Sequence, residues 1–236
     1  MRWESASETH RGNRRNHNED SVFCSSDGAI WAVADGMGGH QAGDYASDAI
    51  TRSLSEVTLT ANLGDCVDAI EDRLLEVNDH LRQHARTHCD GNTVGSTVVA
   101  FVAREGVGVA LWAGDSRLYR LRGHDLELIT RDHNPVADLL DSGGVSEDEM
   151  LAADTNVITR AVGGQRELHL DVAAFPIRKG DTLLLCSDGL YREVNADELS
   201  GALRSDVHDA VRSLMDSCLS GEAKDNVSII VARACE

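Results

Sequence analysis

The chain has 236 residues, and its 22 Lys+Arg against 40 Asp+Glu give a formal charge of −18 with the histidines neutral. That excess of acid argues against a nucleic-acid or anionic-membrane binder, because both need a basic face to release counterions from phosphate. With 42% apolar residues, only two prolines and no Ser/Gly/Pro-rich tract, the sequence reads as one well-cored domain over residues 1–236.

The opening stretch, MRWESASETHRGNRRNHNED, lacks an apolar core of signal-peptide length. No later stretch approaches the roughly 20 apolar residues of a membrane span, so a soluble, cytoplasmic protein is expected. Strand-length apolar runs begin at 21–25 and 29–34. A helix is expected over 42–57 with Ala46, Ile50, Leu54 and Val57 as its buried stripe. The next is the clearest in the chain: Leu63, Val67, Ile70, Leu74, Val77 and Leu81 alternate spacings of four and three and so share one face.

Strand-length runs resume at 96–103, 107–113, 117–121 and 126–129. Glu105-Gly106 and Gly123-His124 give hairpin spacings between neighbours, which makes these strands antiparallel. Residues 132–156 are polar, broken by Gly143-Gly144, and read either as a surface insertion beside a site or as an ordinary connector. Further runs follow at 157–161, 168–175 and 182–186, then a helix at 206–218 and a last strand at 227–232. Helices fall in blocks between blocks of strands, so the class is α+β with antiparallel sheets. The six cysteines are scattered with no C-x-x-C pair, which fits neither a zinc site nor a disulfide scaffold.

Three apolar runs end alike: 29–34 runs into Asp35-Gly36, 107–113 into Gly114-Asp115, and 182–186, through Ser187, into Asp188-Gly189. Each alone is an ordinary turn. Together they place carboxylates at a sheet edge, and Asp225, just before the last strand, can reach the same region. Oxygen ligands without a companion His or Cys pattern suit hard cations such as Mg²⁺ or Mn²⁺. A carboxylate cluster holding such ions can activate water against a phosphoryl centre. Arg14 and Arg15, just upstream of Asn18-Glu19-Asp20, offer a guanidinium for phosphate.

In order along the chain, Arg15-Asn16-His17-Asn18-Glu19-Asp20, Val33-Ala34-Asp35-Gly36-Met37-Gly38-Gly39-His40, Gly95-Ser96-Thr97, Ala113-Gly114-Asp115-Ser116-Arg117, Ile158-Thr159-Arg160-Ala161, Ser187-Asp188-Gly189-Leu190 and Asp225-Asn226 resemble the bacterial metal-dependent Ser/Thr protein phosphatases of the PPM, or type 2C, family. The resemblance implies an αββα sandwich, two antiparallel sheets flanked by helix pairs. It implies that Asp35 bridges two Mn²⁺ or Mg²⁺ ions, with the Gly36 carbonyl on the second and Asp188 and Asp225 on the first. Asp115 with Asp188 matches a third, weaker site. Glu19 and Asp20 would orient waters on the metals, Arg15 would bind the substrate phosphate, and His40 is a candidate proton donor to the leaving oxygen. Residues 132–156 would be a flap beside the site. The implied partners are phosphorylated proteins, among them substrates of a Ser/Thr kinase and the kinase itself, acted on by a monomer. One departure stands out: where a glycine pair often precedes the Asp-Asn motif, this chain has Gly221-Glu222-Ala223-Lys224.

Two rival readings are open. Cys186 to Arg192 satisfies C-x₅-R, the pattern of cysteine-dependent phosphatases, although Asp188 inside that loop would repel a phosphate dianion. The other rival is a divalent-cation-binding regulatory module without turnover.

Overall fold

The computed structural model describes residues 1–25, 29–38, 42–142 and 157–235. Its strands are β1 (Trp3–His10), β2 (Asp20–Cys24), β3 (Ile30–Met37), β4 (Gly95–Ser96), β5 (Val98–Arg104), β6 (Val107–Ala113), β7 (Arg117–Arg122), β8 (Asp125–Leu128), β9 (Asp171–Pro176), β10 (Thr182–Cys186) and β11 (Val227–Ala234). The helices are α1 (Ala42–Ser55), α2 (Leu63–His88), α3 (Pro135–Ser142), α4 (Asp188–Tyr191), α5 (Ala196–Ala202) and α6 (Val207–Ser220). One sheet runs β1-β11-β10-β7-β8 and the other β2-β3-β5-β6-β9, with β4 added to the end of β3. Every pairing is antiparallel.

Strand alternation sorts the apolar side chains into layers. From β3, Ile30, Ala32 and Ala34 face the α1/α2 layer, while Trp31 and Val33 fill the space between the sheets with Phe101, Trp112, Leu183, Leu185 and Ile230. From β10, Leu184 and Cys186 face the other way, into a third layer with Leu190, Leu199, Val211 and Leu214. The fold is thus helix, sheet, sheet, helix, which is the sandwich expected.

The expected helices agree with α1, α2 and α6 to within a few residues, except that α2 continues to His88. Asn62 caps α2 by accepting from the Gly64 N–H at 2.8 Å, and Asp206 caps α6 through the His208 N–H at 2.9 Å. Two expectations are corrected, and one strand is added. Residues 157–161 form no strand: Val162 makes a single bridge to Ser96, and among the described residues the preceding positions have no partner ladder. The strand placed at 168–175 begins only at Asp171 and ends at Pro176. The amino terminus, to which the apolar pattern assigns no element, is the edge strand β1: its pattern is weak because only Trp3 and Ala6 pack inward. In the segment 132–156, α3 occupies the start, and residues 143–156 lie outside the described residues.

Candidate active site

The carboxylates collect at one end of the sandwich because five strands begin or end there. Asp35 sits near the end of β3, directly opposite Asp20 at the start of β2. Asp115 follows β6, Asp188 follows β10, and Asp225 precedes β11. Arg15, Glu19, Asp35, Gly36, Asp115, Ile158, Asp188, Arg192, Asp225 and Asn226 line one cavity of about 410 Å³. Asp20 does not line it. It lies one layer behind, where its Oδ2 accepts the Ser187 hydroxyl at 2.8 Å. His40 falls outside the described residues, and Arg14 is exposed and does not line the cavity.

The scaffold behind these groups is densely bonded. Asp35 is fixed through its backbone: its N–H donates to Thr97 Oγ1 at 3.1 Å, and its carbonyl accepts from the Thr97 N–H at 2.9 Å and the Ser96 hydroxyl at 2.9 Å. Gly36 can only be glycine, since a Cβ there would stand 2.0 Å from the Gly43 carbonyl of α1. Asn226 ties the arginine-bearing loop to β11: its Nδ2 donates to the Arg11 and His17 carbonyls at 3.0 and 2.9 Å, and its Oδ1 accepts the Glu19 N–H at 2.8 Å. Arg15 donates to Asp225 Oδ2 at 2.8 Å from the cavity rim. In the departing loop, Ala223 adopts a left-handed φ of 38°, and Asp225 still reaches the cavity.

Crowding of like charge shows in the electrostatics. Burial, and then the negative charges of Asp20, Asp188, Asp115 and Asp225, hold Asp35 well above the usual carboxylate range. Burial raises Asp20 to about 7 and Asp115 to about 6, with Asp188 adding to both, and burial raises Glu19 and Asp188 as well. Asp20 Oδ1 and Asp188 Oδ1 are buried without a hydrogen-bond partner. Buried, unpartnered carboxylate oxygens in a set of like charges are what a bound cation would relieve. Among the described residues, no three carboxylate, imidazole or thiol side chains cluster tightly enough to cage an ion by themselves. The donor set therefore fits an ion that keeps much of its own water and takes one or two carboxylates with a carbonyl, as Mg²⁺ does.

The cysteine reading fails on geometry. Cys186 is wholly buried in the layer against α5 and α6, on the opposite side of β10 from the inter-sheet core, and burial pushes its thiol up. Arg192 instead pairs with Asp188 at 2.9 Å.

Sequence reasoning missed His133. This fully buried residue accepts the Gly114 N–H at Nδ1 (3.1 Å), so its proton is on Nε2, which faces Asp171 Oδ2 at 3.2 Å. Its own N–H donates to the Gly114 carbonyl at 2.9 Å, and its carbonyl accepts the Thr159 N–H at 2.8 Å. Arg160 closes the group on Asp171 at 2.6 Å. Gly114, at φ +112°, sets the turn that delivers Asp115. His133→Ala is expected to cost about 2–4 kcal/mol through orphaned buried partners, lowering Tm by roughly 5–15 °C. His133→Asn, whose Oδ1 can replace Nδ1 as acceptor, should recover part of that loss in thermal melts; equal losses in the two variants would contradict the role of the Gly114 N–H to Nδ1 bond.

Comparison with known proteins points one way. The family model described as Protein phosphatase 2C matches residues 8–227. The serine/threonine phosphatase stp of Listeria monocytogenes serovar 1/2a is 39% identical over 205 residues, covering 84% of this chain and 81% of that protein. Among solved structures, PppA, described as a key regulatory component of T6SS in Pseudomonas aeruginosa, superposes with a TM-score of 0.91 at 42% identity, covering 99% of this chain and 98% of that one. The catalytic domain of the phosphatase PstP in complex with two manganese ions superposes with a TM-score of 0.85 at 31% identity, covering 99% of each.

Proposed function

The chain belongs to the protein phosphatase 2C family and is a protein-serine/threonine phosphatase of bacterial type, and from that premise we propose that it hydrolyses phosphoserine and phosphothreonine in proteins at a dinuclear Mn²⁺ or Mg²⁺ centre. The observation that carries this reading is the meeting of Asp35, Asp188, Asp225 and Gly36 from separate strand ends in one cavity with Arg15 on its rim. Asp35 would bridge the two ions, the Gly36 carbonyl would serve one, and Asp188 and Asp225 the other. Bound there, such ions supply positive charge against the phosphate oxygens and acidify the attacking water.

The chain's own residues do the remaining work. Arg15 is half-exposed and held by Asp225, so it can turn its second edge to a phosphate in bidentate fashion. Glu19, lining the cavity with its N–H fixed by Asn226, is placed to accept hydrogen bonds from water. Asp20, behind it, holds Ser187 and so the entry to α4. His40 is the residue we assign to protonate the leaving serine or threonine oxygen.

We further propose that residues 1–236 form one phosphatase domain, acting as a cytoplasmic monomer on phosphoproteins with no nucleic-acid or membrane partner. The excess of acid supports this, and among the described residues no helix is long and apolar enough to cross a membrane. The phosphomonoesters it removes must be installed by a Ser/Thr kinase, which is its proposed opponent and a substrate in its own right. The test is phosphate release from a phosphothreonine peptide. Release that requires Mn²⁺ or Mg²⁺ is expected, and metal binding without release would instead make the protein a regulatory module. Arg15→Ala should raise KM more than it lowers kcat if Arg15 binds ground-state phosphate; equal falls in kcat and kcat/KM would place its action in the transition state.

A further inference from the structure

A cation from within the chain already sits on the two carboxylates that resemblance would give to a third ion. Asp188 opens α4, and Arg192 follows one turn later, so the helix itself brings the guanidinium back over Asp188. Arg192 Nη2 lies 2.9 Å from Asp188 Oδ2 and 3.7 Å from Asp115 Oδ2. Asp115 is held from a second side as well: the Tyr191 hydroxyl donates to its carbonyl at 3.1 Å and lies 3.4 Å from its Oδ2. Tyr191 is itself fixed, because the Arg117 guanidinium lies 3.6 Å from its ring centroid and forms a two-bond pair with Asp132 at 2.9 and 2.8 Å. Both aspartates are buried, while Arg192 keeps 36% of its side chain in solvent.

We infer that Arg192 is the resident cation of the third position: its guanidinium stands between Asp115 and Asp188 where a third divalent ion would be held, so that such an ion binds only by displacing it. The inference rests on the dinuclear reading above. Three physical arguments support it. The arginine is tethered four residues from one of its partners, so it competes at a high effective concentration that no free ion matches. An arriving divalent ion meets a fixed positive charge and two carboxylates already engaged. Mg²⁺ also dehydrates reluctantly and gains little from such ligands. Because 36% of the Arg192 side chain lies in solvent, abundant metal can displace it outward, which makes the third position a competition. The C-x₅-R coincidence thereby acquires a different meaning: the arginine has no thiolate to serve, since Cys186 faces another layer, and serves carboxylates instead.

The test is Mn²⁺ titration of the full chain by isothermal calorimetry, with bound metal counted after gel filtration. Wild type should bind two ions, and Arg192→Gln and Arg192→Ala should each gain a third, with its Kd lowered by roughly tenfold or more on removal of the neighbouring unit charge. The gain should vanish in Arg192→Gln combined with Asp115→Asn. Thermal melts of the metal-free variants establish that they are folded. Identical stoichiometry and affinities in wild type and both single variants would overturn the inference, as would a rise in KM for p-nitrophenyl phosphate with unchanged metal binding, which would make Arg192 a phosphate ligand. A wild type that binds no Mn²⁺ would overturn the dinuclear reading itself, a result distinct from either of these.

Discussion

Asp35→Asn should lower kcat by at least about 10³-fold while making the metal-free protein more stable than wild type. The first effect follows from its proposed place between two ions: a neutral amide is a poor ligand for a hard cation, and several kcal/mol of lost charge stabilisation is about three decades in rate. The second follows from the crowding at the strand ends. Asp35 is partly buried in the cavity wall, stands opposite Asp20 in the β2–β3 pairing, and is repelled by Asp20, Asp188, Asp115 and Asp225. Removing its charge removes that repulsion without changing side-chain volume. Steady-state rates with p-nitrophenyl phosphate test the first half and thermal melts in EDTA the second. Near-normal turnover would remove Asp35 from the chemistry. A lower Tm in EDTA would mean that its carboxylate is a net stabilising group.

Removing divalent ions should have an effect of the same size, fully reversible by Mn²⁺, whereas alkylating thiols should leave activity intact. Cys186 is inaccessible, and its thiol is pushed up by burial, so it offers no thiolate. The opposite pattern, sensitivity to alkylation and indifference to EDTA, would reinstate the cysteine mechanism.

Metal removal should also expose a pH dependence. In the metal-free protein, burial and mutual repulsion raise Asp20 to about 7, Asp115 to about 6, and Asp35, Asp188 and Glu19 upward. Between the unfolded carboxylate range near pH 4 and these folded values, the folded state binds more protons than the unfolded one. Stability from these groups is therefore full below that range and is lost as pH rises through 6 and 7. Asp171 and Asp181 act in the opposite sense. Burial opposes ionisation at both, but bonds from His133 and Arg160 at the first, and from Arg122 and the Arg178 N–H at the second, hold them below the usual range. Their contribution is present above the unfolded value and lost in acid. Melts in EDTA should accordingly show a higher Tm at pH 5 than at pH 8, with Mn²⁺ raising the value at pH 8 the most. A flat profile in EDTA would contradict the crowding.

Much of this was legible in the residues. The period-four-and-three stripe from Leu63 to Leu81 specified α2, and the unbroken apolar runs at 29–34 and 182–186 specified buried strands. The capping box of Asn195 and Glu198, which starts α5, was also present in the sequence and was passed over. β1 was not legible, because this edge strand buries only Trp3 on one face and Ala6 on the other and draws its stability from the ladder on β11. The run at 157–161 erred in the other direction: it is apolar enough for a strand, yet among the described residues no strand pairs with it.

The sequence by itself determined the chemistry available: which strand ends carry aspartates, that the ligands are oxygens, and that an arginine precedes the first acidic motif. Only the tertiary structure decided how those groups divide the work. Strand pairing put Asp20 behind the cavity and Glu19 on it, pleat direction turned Cys186 away from it, and the meeting of Gly114, His133 and Asp171 fixed the turn that carries Asp115. The reason is physical. Periodicity within a segment records which side is buried, whereas contacts such as Arg15 with Asp225, 210 residues apart, depend on which strands become neighbours and in what register.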